Sequence, residues 1–170
     1  MMAFLKRLFR PKTKTGKAGV GGAAAIAVAA AAFIGPWEGL RTTAYPDRLA
    51  RNIPTVCYGE TRGVELGDVY TRAECDAMLA KAVQEFHVGL KNCIPSLPTL
   101  PEGVQVAFTS WSYNVGVGAA CSSTLTRKAN AGDLAGACNE LPRWNRASGR
   151  VVKGLSNRRG AERALCLGAL

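Results

Sequence analysis

Residues 18–35, "AGVGGAAAIAVAAAAFIG", contain no charged or hydrogen-bonding side chain, and an acid, Glu38, appears three residues after Gly35. As a helix this run is about 27 Å long, close to the roughly 30 Å hydrocarbon core of a bilayer. A chain carrying it must leave it in a membrane, lose it by cleavage, or bury it inside a fold. Residues 1–17 bear six bases (Lys6, Arg7, Arg10, Lys12, Lys14, Lys17) and no acid. Bases ahead of a first apolar segment stay cytoplasmic while the chain beyond that segment is exported.

The run is weakly hydrophobic for a permanent anchor, with nine alanines and four glycines. Only Val20, Ile26, Val28, Phe33 and Ile34 drive insertion strongly, together about 1.5 to 3 kcal/mol. Three readings are open: a cleaved signal peptide, a weak anchor able to leave the bilayer, or a buried alanine-rich helix. The weak anchor fits the composition best. The expected organisation is a basic cytoplasmic region at 1–17, a membrane segment at 18–35 and a folded domain at 36–170, of a size to enclose one core.

Charge alone suggests a polyanion partner, since the formal net charge is +10. Six of those charges lie in the N-terminal arm, leaving sixteen bases against twelve acids in the rest of the chain. That modest excess, concentrated after Pro142, suits an anionic polymer or a solvated helix face equally. No nucleic-acid partner is expected.

The six cysteines (Cys57, Cys75, Cys93, Cys121, Cys138, Cys166) stand singly, with no CxxC pair and a single histidine, His87. Zinc is not expected from that spacing, and neither another metal nor a cofactor is implied. In an exported domain the cysteines become three disulfides. Six cysteines allow fifteen pairings, and joining sequence neighbours gives Cys57 with Cys75, Cys93 with Cys121 and Cys138 with Cys166.

"IPTVCYG" at 53–59 reads as a short strand, and little else does. From Thr71 a capping box, Thr71 with Glu74, opens a long amphipathic helix that contains His87 in a structural role. "IPSLPTLP" at 94–101 breaks it, and Val104, Ala107, Phe108, Trp111 and Val115 then share one helical face. Ser122 or Ser123, Asp133 and Ser156 are candidate N-caps for three further helices. The fold class expected is α+β, predominantly helical, with a small sheet.

Glu38 and Asp47 stand nine residues apart, and the turn-forming "TAYPD" between them is expected to fold the second acid back towards the first. Glycoside hydrolysis uses such a pair, one acid protonated to release the leaving oxygen and one carboxylate to deal with water or a cationic sugar. Twelve acids guarantee many pairs, so spacing alone is weak evidence.

Five ordered blocks add more: "EGLRTTAYPD" (38–47), "PTVCYGET" (54–61), "SYNVG" (112–116), "STLTRKANAGD" (123–133) and "RWNRASGRVVKGLSNRRGAERALCL" (143–167). Together they resemble the phage-type lysozymes of glycoside hydrolase family 24, and most of all the branch carrying a signal-anchor-release segment. The resemblance implies a lysozyme-like fold, with a sheet lobe and a helical lobe joined by a long helix. It also implies a muramidase that cuts peptidoglycan between N-acetylmuramic acid and N-acetylglucosamine, by inversion, to lyse the host. Glu38 would be the proton donor, Asp47 the acid that positions water, and Thr55 the third member of the catalytic set. The chain departs from the family in placing seven residues, rather than five, between Asp47 and Thr55.

Glu60, Ser112, Tyr113 and Asn114 match positions that support the site or contact sugar. Trp111 is assigned to the core, while Trp144 could stack on a sugar ring. The partners implied are peptidoglycan strands and, through residues 18–35, the host inner membrane, with a monomer released into the periplasm. A cationic membrane-active protein, or a wall-binding module without glycosidase activity, is the competing class.

Overall fold

The computed structural model describes residues 22–48 and 51–170. The basic region expected at 1–17 and the first residues of the apolar run lie outside the described residues.

The apolar run continues into one helix, α1 (Ala23–Glu38), which crosses the expected boundary between residues 35 and 36. Ile26, Ala27, Ala30, Ala31 and Ile34 are buried on one face, against α2 (Arg72–Lys91) and α3 (Glu102–Val115). Alanines on that face let the helices approach closely, and two isoleucines, both fully buried, supply the bulk. The opposite face leaves Ala24, Ala25, Val28 and Ala32 exposed. Sixteen helical residues reach about 24 Å. Among the described residues no helix is long and apolar enough to cross a membrane.

After Gly39, which ends α1 with φ +74°, the chain forms an antiparallel ribbon of β1 (Arg41–Asp47) and β2 (Ile53–Cys57). "TAYPD" is therefore strand rather than the turn expected of it. Pro46 lies opposite Pro54, away from the bridges that engage the outer edges of the ribbon at Thr43 and Val56. Just before β2, Arg51 and Asn52 take positive φ, and the Asn52 N–H donates to the Asp47 carbonyl at 2.7 Å. In this register Asp47 pairs with Ile53 and Tyr45 with Thr55.

The capping box of α2 forms in full: the Thr71 hydroxyl accepts from Glu74 N–H and the Glu74 carboxylate accepts from Thr71 N–H. Cys75, Leu79, Val83, His87 and Leu90 make its buried stripe. The chain then passes through a short turn (Leu97–Thr99) into α3, α4 (Val117–Cys121), α5 (Thr124–Asn130) and α6 (Leu134–Cys138). A turn at Leu141–Arg143 and a hairpin of β3 (Arg146–Ala147) with β4 (Arg150–Val151) lead to α7 (Lys153–Gly168). Ser123 and Asp133 cap α5 and α6. Ser156 caps nothing, because α7 begins three residues earlier and its hydroxyl donates to the Val152 carbonyl.

Two apolar clusters result. One joins α1, the ribbon and the first half of α2; the other surrounds Phe108 and Trp111 with α5, α6 and α7. Trp111 is fully buried, edge-on to Trp144 with ring centroids 5.3 Å apart. Disulfides join Cys57 to Cys75, Cys93 to Cys121 and Cys138 to Cys166, as the neighbour pairing expects. They tie β2 to α2, the end of α2 to α4, and α6 to α7. Gly103 lets α7 meet α3, for a Cβ there would lie 3.0 Å from the Leu165 carbonyl oxygen.

Candidate active site

Glu38 is the last residue of α1, so the apolar helix sets where its carboxylate stands. The side chain is one-quarter exposed, and its Oε1 accepts from Arg158 Nη1 of α7 at 2.6 Å. It opens into a cleft of about 460 Å³ shared with Cys57, Tyr58, Glu60, Met78, Phe86 and Tyr113. A larger cavity of about 680 Å³ lies between α1 and α2 around Val28, Ala31 and Tyr58, and its lining does not include Glu38.

The third acid reaches the cleft through a tight reversal. Gly59, with φ +102°, folds the chain so that Glu60 and Val56 exchange two backbone hydrogen bonds at 2.9 Å. Tyr58 is pinned in the same turn by donating its hydroxyl to Asp76 of α2 at 2.6 Å. Arg62 then donates to Glu60 and, across the cleft, to Glu85 of α2. Hydrogen bonds from Arg62, with backbone donors at Thr61 and Arg62, hold the Glu60 carboxyl below its ordinary range.

Tyr113 of α3 packs its ring edge-on to Phe86, centroids 5.0 Å apart. Burial first, and the Glu38 charge second, push its phenol above the ordinary value. Asn114 is exposed beside it. Ser112 differs: it is fully buried and its hydroxyl donates to the Thr109 carbonyl, so it braces α3 rather than facing the cleft.

The ribbon register sets Asp47 and Thr55 as diagonal neighbours on one face. Thr55 is buried and donates its hydroxyl to the Ile53 carbonyl at 3.0 Å. Neither residue lines the cleft that holds Glu38, Glu60 and Tyr113. His87 is buried with Nδ1 3.0 Å from the Thr109 hydroxyl, and burial lowers its proton affinity.

Sequence reasoning missed the group behind Glu38. Arg158 is 4% exposed and uses three nitrogens: Nη1 on Glu38, Nε on Glu162, and Nη2 on the Ser110 carbonyl. Glu162, wholly buried, also accepts from the Ser110 hydroxyl and from Arg159 Nη2, both at 2.7 Å. Burial pushes the Glu162 carboxyl up and the Arg159 guanidinium down, while each opposes the other's shift. Two guanidiniums, those of Arg158 and Arg159, contact the Glu162 carboxylate. Its i,i+4 relation to Arg158 was visible in "RRGAE".

Comparison with known proteins places this geometry. The phage lysozyme family model matches residues 35–162. The SAR-endolysin of Enterobacteria phage P21 is 39% identical over 162 residues, covering 92% of this chain and 96% of that protein. The SAR-endolysin of Pseudomonas phage phiKMV is 38% identical, covering 85% and 89%. Among solved structures, the muramidase domain of SpmX from Asticaccaulis excentricus superposes with a TM-score of 0.72 at 26% identity, covering 82% of this chain and 95% of that one. The endolysin of Escherichia coli O157:H7 phage FAHEc1 gives 0.70 at 26% identity, covering 91% and 97%.

Proposed function

This chain belongs to the phage lysozyme family and is an endolysin, a muramidase acting on peptidoglycan, and from that premise we propose how its residues divide the work. Glu38 donates its proton to the bridging oxygen as the bond from N-acetylmuramic acid C1 breaks. Asp47 takes a proton from the water whose oxygen adds to C1 from the opposite face, which inverts the anomeric centre. Thr55, diagonal to Asp47 on the ribbon, helps to hold that water. Tyr113, Asn114 and Glu60 contact the sugars. The observation that carries this reading is Glu38, held at 2.6 Å by a buried arginine and opening into the cleft.

The test is digestion of purified peptidoglycan by the full-length protein and by Glu38→Gln. The wild type should release fragments ending in reducing N-acetylmuramic acid, and the variant should fall at least about a hundredfold, the scale of a lost general acid. Equal release by both would refute the assignment of Glu38.

Residues 18–35 hold the exported chain at the inner membrane until they leave it, after which α1 packs as described and the protein is periplasmic and monomeric. Names of the relatives and the weak hydrophobicity of the segment support this. Ala27 and Ala31 are buried, so leucine there would also disrupt the packed form. Ala25 and Ala32 face outwards. Ala25→Leu/Ala32→Leu should keep the protein in membrane fractions and delay lysis; lysis on the wild-type schedule would count against the anchor.

A further inference from the structure

A cation in contact with a carboxylate favours its ionised form, yet a general acid must carry a proton when substrate arrives. Arg158 touches Glu38 at 2.6 Å, and both its own burial and that of the groups behind it leave little solvent screening. Something must temper that guanidinium. Glu162 sits on its far side, with Oε1 3.3 Å from Arg158 Nε.

We propose that Glu162 is a positioning residue for the cleavage, fixing the Arg158 fork and offsetting part of its charge so that Glu38 is oriented without losing the proton it delivers. This rests on Glu38 being the proton donor. The geometry supplies both halves. The Arg158 fork cannot swing, since its three nitrogens are each committed to Glu38, Glu162 and the Ser110 carbonyl. Glu162 in turn is fixed by the Ser110 hydroxyl and Arg159. Ser110 thus holds both members of the pair from α3, and the close α3–α7 contact at Gly103 keeps the helices in that relation.

The charges that face Glu38 come from every side. Arg158 touches it from α7, with Glu162 and Arg159 behind; Tyr113 faces it from α3; Glu60 and Arg62, after β2, and Glu85 on α2 share its cleft. Glu60, Arg62 and Glu85 are paired among themselves. Glu162 and Arg159 therefore act on Glu38 with opposite signs: removing the anion should make Glu38 lose its proton more readily, and removing the cation should make it hold the proton longer.

The experiment is the pH profile of kcat/KM for the full-length chain on purified peptidoglycan, in wild type, Glu162→Gln and Arg159→Gln, with folding checked by circular dichroism. The alkaline limb reports the free enzyme's acid. It should move to lower pH by about one unit in Glu162→Gln and to higher pH, by less, in Arg159→Gln. A purely structural role would lower rates without moving the limbs apart. Limbs that stay in place, or move the same way in both variants, overturn the proposal; if Glu162→Gln does not fold, the direction in Arg159→Gln decides. Glu38→Gln serves as control: an active Glu38→Gln overturns the proton-donor reading itself, whereas an inactive one with unmoved limbs overturns only the role of Glu162.

Discussion

Two ion clusters border the cleft, built from the same residue types and differing mainly in their exposure. On the α7 side, Arg158, Glu162 and Arg159 are buried and every carboxylate-to-guanidinium contact is braced by Ser110 or by the helix itself. On the α2 side, Arg62 bridges Glu60 and Glu85 with more than half of the Arg62 and Glu85 side chains open to water. Buried charges hold one another in a single arrangement because neither can be left alone, whereas exposed ones exchange partners with water at little cost. The first cluster holds Glu38 through Arg158; the second is exposed at the rim of the same cleft.

The largest effect is expected from Arg158→Met. It strands Glu162 and Glu38 without their shared cation, and losing one partner of a buried pair typically costs about 3 to 5 kcal/mol. Thermal and urea unfolding should register that loss, together with abolished muramidase activity. If the variant unfolds like wild type, the buried cluster is not what secures this side of the cleft.

Ile34→Ala tests whether α1 is as much a part of the core as α7. Ile34 is fully buried, and truncating such a side chain costs about 2 to 5 kcal/mol. A change below about 0.5 kcal/mol in urea unfolding would place α1 outside the cooperative core.

His87 sharpens the contrast within one helix, lying two residues beyond Glu85 but buried. Its proton affinity is lowered by burial, so the unfolded chain binds the proton more readily. Its contribution to stability is therefore complete above the ordinary histidine value of 6.5 and is lost as pH falls below it towards the folded value. His87→Asn should lose less of its melting temperature between pH 7 and 5 than wild type does. An identical pH dependence would mean that other groups carry that slope.

The smallest effect is expected from Glu85→Gln, which cuts the exposed bridge to Arg62. Melting should barely move, and what movement there is should vanish in high salt. A large loss would mean that the exposed cluster is structural after all.

Much of the molecule was legible before folding. The capping box at Thr71, the proline break after Ile94 and the buried stripe of α2 come from local chemistry, and the cysteine pairs from sequence proximity. That Glu38 opens into a cleft was expected because its blocks resemble a family. The strand β1 was not, since "TAYPD" carries turn residues and only pairing with β2 makes it extended. Ser112 reads as a polar cleft residue, but α3 turns it inwards. Arg158 and Glu162 sit in a basic tail that suits an anionic polymer or a solvated face equally, and only the packing of α7 on Ser110 and Gly103 buries them. The apolar run was open to three readings because its side chains suit a bilayer and a protein interior alike; its alanine face fits closely on α2 and α3, which no single-helix property reveals.

The helix α1 is an integral part of the folded protein and carries Glu38 to Arg158. Its most direct test compares peptidoglycan digestion by the full-length protein with digestion by residues 36–170, both oxidised. Reducing N-acetylmuramic acid ends are expected from the full chain and almost none from the shorter one, which lacks Ile26 and Ile34. Equal release by the shorter chain would contradict it.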